Sequence, residues 1–132
     1  MALHPQKLRL ARVSQEQAAH AFAVCASLDP MGIETPDSIA SAGRCFKLAG
    51  DTGSGVFSVG IQESALWCYG AAGQGQGMTA AGLRTLEHMA KTAGCKSVKF
   101  QTMRRGLMRQ AIAHGYRQIC PAGRGYVFEK VI

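Results

Sequence analysis

The chain has 132 residues, 47% of them hydrophobic and 17% charged, so it has about one domain's length and enough apolar surface to offset the entropy of ordering. This composition excludes a disordered chain, and no apolar run approaches the roughly 18–20 residues of a membrane-spanning helix. Met1–Leu10 carries Lys7 and Arg9 with no apolar stretch behind them. We therefore expect a single domain over residues 1–132, in the cytoplasm and without a membrane partner.

The net charge of +7 is concentrated in the second half of the chain. Met1–Gly73 contains five basic and six acidic residues, whereas Gln74–Ile132 contains ten basic and two acidic ones. A positive half favours an anionic partner such as a phosphate ligand, a nucleic acid or an acidic protein. A solvated basic surface without a partner would give the same pattern.

The five cysteines are too far apart to suggest a metal site or a disulfide framework. They lie at least 20 residues from one another, and no C-x-x-C pair is present (Cys25, Cys45, Cys68, Cys95, Cys120). We expect them to be reduced core thiols, and we expect no metal.

The first half of the chain is predicted to contain a strand, one or two helices and an antiparallel meander. Leu8–Val13 alternates apolar and polar residues, and Ser14 with Gln17 forms a capping box for a helix that ends near Asp29-Pro30. Thr35-Pro36-Asp37 is typical of the start of a short second helix. Three strands separated by turn residues follow (Arg44–Ala49, Val56–Ile61, Ala65–Tyr69).

The second half alternates helices and strands. A glycine-rich segment, Gly70–Gly77, leads into a helix over Met78–Ala93 with Leu83, Leu86, Ala90 and Ala93 on one face and Gly94 after its end. The remaining elements are a strand, a short helix with Leu107, Met108, Ala111 and Ile112 inward, and two strands (Ser97–Thr102, Arg105–His114, Arg117–Cys120, Tyr126–Ile132). This order predicts a mixed α/β fold with helices covering a central sheet.

The strand, glycine loop and helix around Gly70–Gly77 form a candidate anion site. A helix N-terminus presents unpaired backbone N–H groups, and glycines before it let a phosphate approach the main chain, although a flexible structural turn would have the same composition. No Gly-Lys-Ser/Thr follows, which excludes a Walker A loop. Met78 lies where the third glycine of G-x-G-x-x-G belongs, which excludes that dinucleotide motif.

The segment Gln74–Thr79 (QGQGMT) resembles the [R/Q]-x-x-G-x-[G/A] pyrophosphate loop of the GNAT superfamily, the acetyl-CoA-dependent N-acetyltransferases. Gln74 and Gly77 match the motif, and Thr79 replaces its final small residue. Further along the chain, the agreement with the family is in the order and spacing of Leu83, Gly94-Cys95-Lys96, Val98–Thr102, His114-Gly115-Tyr116 and Tyr126–Val131. The similarity covers about residues 56–132.

The resemblance implies a mostly antiparallel central sheet flanked by helices, with acyl-CoA between two splayed strands. Its pantetheine arm would pair with the strand before the loop, its pyrophosphate would lie on the loop amides, and the basic second half would attract the nucleotide phosphates. The implied cofactor-binding residues are Tyr69, Gly70, Ala71, Gln74, Gly75, Gln76, Gly77, Met78, Thr79 and Arg104.

The catalytic residues of the family are matched less well than its cofactor loop. Its general-acid tyrosine corresponds to Ala111, and the asparagine that often opens the same helix corresponds to Arg104. The strand before the loop contains no carboxylate, and the nearest candidate base is Glu63 in the preceding turn.

Several other side chains have an ordinary structural explanation. Trp67 and Tyr69 would line a pocket or pack in the core, and Cys68 has no histidine base at a suitable spacing. The histidines are expected at the surface or at a helix end (His20, His88, His114).

We therefore predict an acetyl-CoA-binding N-acetyltransferase with an unidentified amine acceptor. The alternatives are a catalytically degenerate module of the same fold that recognises a protein or nucleic acid, and a basic nucleic-acid binder unrelated to CoA. Only 7% of the residues are aromatic and no stacking platform interleaves with the bases, so we expect no nucleic-acid partner. A late strand at a sheet edge would permit a homodimer.

Overall fold

A computed structural model describes residues 7–24 and 35–132 of the chain. Over these residues the strands, in chain order, are β1 (Arg9–Arg12), β2 (Arg44–Gly50), β3 (Gly53–Gln62), β4 (Ala65–Gly75), β5 (Ser97–Thr102), β6 (Arg117–Ala122) and β7 (Gly125–Val131). The helices are α1 (Gln15–Phe22), α2 (Pro36–Ala42), α3 (Met78–Thr92) and α4 (Arg105–Ala113). None of these helices is long and apolar enough to cross a membrane.

The strands form one mixed sheet in the order β1-β2-β3-β4-β5-β7-β6. Every neighbouring pair is antiparallel except β4 and β5, which run parallel because α3 connects them as a crossover. The prediction of a mostly antiparallel central sheet flanked by helices is confirmed.

The helices cover both faces of the sheet. Helices α1 and α2 bury Phe22 and Ile39 against one face, where Cys45 of β2 also lies. Leu48, three residues along the same strand, points to the other face and joins the larger core cluster under α3 and α4. That cluster is built around stacked rings of Phe100 and Phe128, whose centroids are 5.9 Å apart.

The predicted caps of the first two helices are present. Ser14 Oγ accepts from the Gln17 backbone N–H at 3.1 Å, and the Gln17 side chain accepts from the Ser14 backbone N–H in return. Thr35 and Ser38 make the equivalent pair at α2. Helix α1 ends at Phe22, earlier than the predicted end near Asp29-Pro30, and residues 25–34 lie outside the described residues.

The largest difference between the predicted and observed elements is in β4. The predicted strand ends at Tyr69, whereas β4 continues through the glycine-rich segment to Gly75. Gly73 and Gly75 pair there with Gly55 and Gly53 of β3, so two glycine-containing strands replace the expected loop. Main-chain pairing between strands outweighs the low strand propensity of glycine.

Three side chains expected inside lie at the surface. Ile112 is 60% exposed, and Ala93 and Cys120 are also exposed. Ile112 and Ala93 lie at the C-terminal ends of their helices, where the apolar period overestimates the width of the buried face. Cys120 lies on β6, the edge strand of the sheet.

Candidate functional site

The site begins where β4 and β5 separate. They are paired only from Ala65 with Ser97 to Cys68 with Phe100. Beyond that rung β4 continues with β3 to Gly75, while β5 continues with β7 to Thr102. The two strands therefore enclose a wedge-shaped cleft that is closed at Cys68 and Phe100 and opens toward the start of α3.

A β-bulge lies at the closed end of the cleft. Val59 pairs with Cys68 and Ser58 pairs with Gly70, so Tyr69 is the extra residue of β4. Such a bulge bends its strand, which helps β4 to turn away from β5. The Tyr69 side chain packs against the α1 and α2 cluster, and its hydroxyl accepts from Gln62 Nε2 at 2.8 Å.

The cleft continues into a cavity of about 260 Å³ under α3. Its walls are mostly apolar or small residues, which leave the main chain of β4 accessible. The lining residues include Cys68, Gly70, Ala71, Gly73, Phe100 and Leu107. Arg104 is the only charged side chain among the described residues that line it.

The main chain of β4 faces this cleft at alternate residues. The Ala71 carbonyl accepts from Arg104, so it points away from β3 and toward the β5 side. Because backbone groups of residues two apart point to the same side of a strand, the N–H of Ala71 and the polar groups of Gly73 face the cleft as well. An extended ligand with amide groups would pair with β4 in the manner of an added strand.

The open end of the cleft is formed by a tight glycine turn and the N-terminus of α3. Gly75 has φ +122° and Gly77 has φ +76°, backbone conformations that favour glycine. Thr52 of the β2–β3 turn braces the turn by donating its hydroxyl to the Gln76 carbonyl at 2.6 Å. Within residues 7–24 and 35–132 no side chain caps α3, so its N-terminal dipole is available to an anion.

Arg104 spans the cleft from the opposite side. Its backbone N–H donates to Thr102 Oγ1 at 3.1 Å, and its guanidinium Nη2 donates to the Ala71 carbonyl at 3.1 Å. The Nε atom is buried and has no hydrogen-bond partner among the described residues. A buried donor left unpaired costs about 1–3 kcal/mol, a cost that an acceptor on a ligand would remove.

Cys68, at the closed end, is a poor nucleophile. Burial raises the pKa of its thiol to about 12, and the backbone hydrogen bond with Gly70 and the charge of Arg104 oppose that rise only in part. The thiol therefore stays protonated at neutral pH, as expected for a core cysteine.

Most of the cofactor residues expected from the sequence meet at this cavity. Those that line it are Gly70, Ala71, Gln74, Gly75, Met78, Thr79 and Arg104. Gln76 and Gly77 are exposed in the turn at its mouth, and Tyr69 lies toward the other face of the sheet. Two basic residues of the second half that the resemblance offers for the nucleotide phosphates, Arg84 and Arg109, are exposed and do not line the cavity.

The expected catalytic positions do not meet there. Glu63 is exposed in the β3–β4 turn with φ 50°, five residues before the closed end of the cleft, and is not among the lining residues. Ala111, at the position of the family's tyrosine, is fully buried in the core under α3 and α4. The described lining residues include no carboxylate.

Sequence reasoning missed the residues on the β5 side of the cleft. Phe100, Gln101 and Thr102 line the cavity together with Leu107 of α4. The alternation of Ser97–Thr102 indicates a strand, but it contains no signal that the strand separates from its neighbour.

Solved acetyltransferases have the same architecture. A superposition on an IAA acetyltransferase from Bacillus cereus has a TM-score of 0.72 at 13% identity and covers 96% of this chain and 100% of that one. The superposition on the ribosomal-protein-S18-alanine N-acetyltransferase from Escherichia coli has a TM-score of 0.69 at 12% identity and covers 96% of this chain and 94% of that one. For a Bacillus subtilis acetyltransferase in complex with CoA, the TM-score is 0.63 at 13% identity, and the superposition covers 97% of this chain and 99% of that one. No protein-family model and no curated protein matches the sequence.

These similarities extend over nearly the whole chain and define its fold. The protein has the fold of the GNAT acyl-CoA N-acyltransferases, as the Gln74–Thr79 resemblance suggested. At 8–14% identity it is a divergent example of that fold.

Proposed function

We propose that the protein binds acyl-CoA in the β4–β5 cleft and transfers the acyl group, an acetyl group in the first instance, to an amine. The observation that carries this proposal is the cleft itself, which joins an exposed stretch of β4 backbone to an uncapped helix N-terminus. A ligand that suits both ends has amides in an extended arm and a diphosphate at one end. CoA has this construction.

The two ends of the cleft fit the two parts of CoA. The diphosphate would lie against the turn and first residues of α3, where a Cβ at Gly77 would meet no atom within 4 Å and the main chain is uncovered. From there the pantetheine arm would run along β4, with its amides opposite Gly73 and Ala71. The apolar wall formed by Leu83 and Phe100 would exclude water from the arm.

Positioning would supply most of the catalysis. The amine nitrogen attacks the thioester carbonyl carbon, a C–N bond forms and the C–S bond breaks. The sulfur leaves as a thiolate with the electron pair of that bond, and the amine nitrogen loses a proton to solvent. Holding both reactants in a productive geometry is worth on the order of 7–11 kcal/mol. A missing general acid or base lowers the rate by about 10²–10⁴-fold without abolishing it, so the absence of a lining carboxylate is compatible with slow transfer.

Isothermal titration calorimetry with CoA and acetyl-CoA tests the binding step directly. We expect saturable binding of one ligand per chain, and we expect pantetheine alone to bind much more weakly because it lacks the diphosphate. Absence of CoA binding at millimolar concentration would refute the proposal.

A non-catalytic acyl-CoA-binding module is the second candidate. It is favoured by the buried Ala111 at the tyrosine position and by the absence of a carboxylate among the described lining residues. Release of free thiol from acetyl-CoA with a panel of amines separates the two candidates. Turnover above the uncatalysed rate would exclude the second, and tight binding without turnover would exclude the first.

The buried thiols support a proposal about the cellular location. Cys45, Cys68 and Cys95 are free and buried, which suits a reducing compartment. A cytoplasmic location therefore remains our proposal. A homodimer through the edge strand β6 is a further proposal that sedimentation velocity would test.

A further inference from the structure

The cavity contains one cation at the end where a thiol would arrive. Arg104 is the only charged side chain among the described residues lining the cavity, and its guanidinium is held on the carbonyl of Ala71. Ala71 lies three residues beyond the last paired rung of the cleft, at Cys68 and Phe100. The carbonyl that holds the charge is therefore nearer to the closed rung than to Gly75 at the mouth of the cleft, which is four residues away.

The length of the cleft separates this charge from the diphosphate. Ala71 and Gly75 are four residues apart on β4, which is about 13 Å at the usual strand rise of about 3.3 Å per residue. This span is of the same order as an extended pantetheine arm. With the diphosphate at the start of α3, the sulfur of CoA would lie between Ala71 and the closed rung.

The charge of Arg104 already acts on a sulfur atom of the protein, that of Cys68. Cys68 Sγ lies at the closed rung, and the positive charge of Arg104 lowers the pKa of its thiol, although burial raises it further. A sulfur placed in the same part of the cleft by CoA would experience the same field. Its thiolate form would be favoured relative to a cleft without the arginine.

We propose that Arg104 is a catalytic residue that stabilises the thiolate leaving group of CoA, an inference that rests on the acyl-CoA function proposed above. The Ala71 carbonyl fixes the guanidinium at the wall of the cavity, and its positive charge would stabilise the negative charge that develops on the sulfur as the C–S bond breaks. The sulfur keeps the electron pair of that bond, the amine proton passes to solvent, and the thiolate is later protonated from solvent. Arginine transfers no proton, because its guanidinium stays charged at any accessible pH.

This role for Arg104 would compensate for the absence of a general-acid tyrosine at Ala111. Ala111 is fully buried in the core, and a tyrosine there would overfill it. A fixed cation at the N-cap position of α4 would replace proton donation by electrostatic stabilisation.

The test is the titration of bound CoA in the full-length protein, followed by the ultraviolet absorbance of the thiolate. The complex with desulfo-CoA serves as the blank, which removes the signal of the protein's own cysteines. We expect the bound thiol of the Arg104→Gln variant to titrate at least one pH unit higher than that of the wild type, a tenfold lower thiolate fraction. Arg104→Lys, which keeps the charge, should lie between them.

A matched control removes a distant charge. Arg44→Gln changes the net charge equally, but Arg44 is exposed at the start of β2 and does not line the cavity. We expect it to titrate like the wild type. With a reactive amine, Arg104→Gln should lower kcat at least tenfold while leaving the KM for acetyl-CoA within about threefold, which a merely structural role would not do.

The outcomes are distinct. If the wild type binds no CoA, the function and this inference both fail. If CoA binds and the thiol titrates identically in the wild type, Arg104→Gln and Arg104→Lys, only the role of Arg104 is overturned. If circular dichroism shows that Arg104→Gln does not fold, Arg104→Met takes its place, and its bound CoA thiol should likewise titrate at least one pH unit higher than that of the wild type.

Discussion

Lys130 of β7 and Glu87 of α3 form a close ion pair, with Lys130 Nζ 2.6 Å from Glu87 Oε1. The other carboxylate oxygen of Glu87 lies 3.5 Å from the Tyr116 hydroxyl, which donates to it. The Lys130 ammonium also lies 5.9 Å from the centroid of the Tyr116 ring. These contacts fix α3 against the sheet, and α3 is the helix whose N-terminus forms the mouth of the cleft.

We expect Glu87→Gln to lower the free energy of unfolding by about 1 kcal/mol, because it removes one charge of a short, partly shielded pair. The matched control is Glu129→Gln. Glu129 pairs with Lys99 at 3.4 Å and is more exposed than Glu87, at 24% against 16%, so its loss should cost under about 0.5 kcal/mol. Urea unfolding measures both, and equal losses would contradict a special role for Glu87.

Tyr116 makes stability depend on pH in the alkaline range. Burial first, and then the neighbouring Glu87 carboxylate, raise the pKa of the Tyr116 hydroxyl above its ordinary value of 10.0. Above about pH 10 the unfolded chain releases a proton that the folded chain retains, so the free energy of unfolding falls as the pH rises. We expect Tyr116→Phe to make this fall less steep between about pH 10 and 11.

The control for this measurement is Tyr126→Phe, since Tyr126 is exposed on β7. The free energy of unfolding of this variant should fall with pH as steeply as that of the wild type. Cys68 contributes to the slope with the same sign, because its thiol also keeps its proton in the fold, so part of the dependence should survive in Tyr116→Phe. Identical slopes for the wild type and Tyr116→Phe would contradict this assignment.

The elements that sequence reasoning predicts well are those specified by neighbouring residues. The Ser14–Gln17 capping box and the buried stripe of Leu83, Leu86 and Ala90 are patterns within one or a few turns of helix. The glycine turn before α3 is also local, because it needs only glycines at positive φ before a helix. These features suffice to place the mouth of the site.

The remaining features depend on contacts between distant parts of the chain. The contact of Arg104 with the Ala71 carbonyl joins residues 33 positions apart, and the extension of β4 depends on Gly53 and Gly55. The bulge at Tyr69 appears only in the register with β3. No local pattern encodes where β4 and β5 separate, so the depth of the cleft was not predictable.

Two glycines in the same turn should respond differently to alanine. At Gly75 a Cβ would lie 2.3 Å from the Thr52 carbonyl oxygen and 2.6 Å from the Gly53 Cα, and φ is +122°. At Gly77 a Cβ would meet no atom within 4 Å, and φ is +76°. We expect Gly75→Ala to lose more than about 3 kcal/mol of unfolding free energy, and Gly77→Ala about 1–2 kcal/mol. Equal losses in urea unfolding would show that the strand pairing at Gly75 is looser than described.

The paired variants Gly77→Asp and Gly77→Asn separate charge from size at the proposed diphosphate position. Both side chains have the same shape and tolerate the left-handed backbone that Gly77 adopts. We expect Gly77→Asp to reduce CoA affinity at least 100-fold, because a carboxylate would face the diphosphate, and Gly77→Asn to reduce it less than about tenfold. Calorimetry measures the affinities, and circular dichroism establishes that both variants fold. If the aspartate variant folds and binds CoA as well as the asparagine variant does, the diphosphate does not lie at the start of α3.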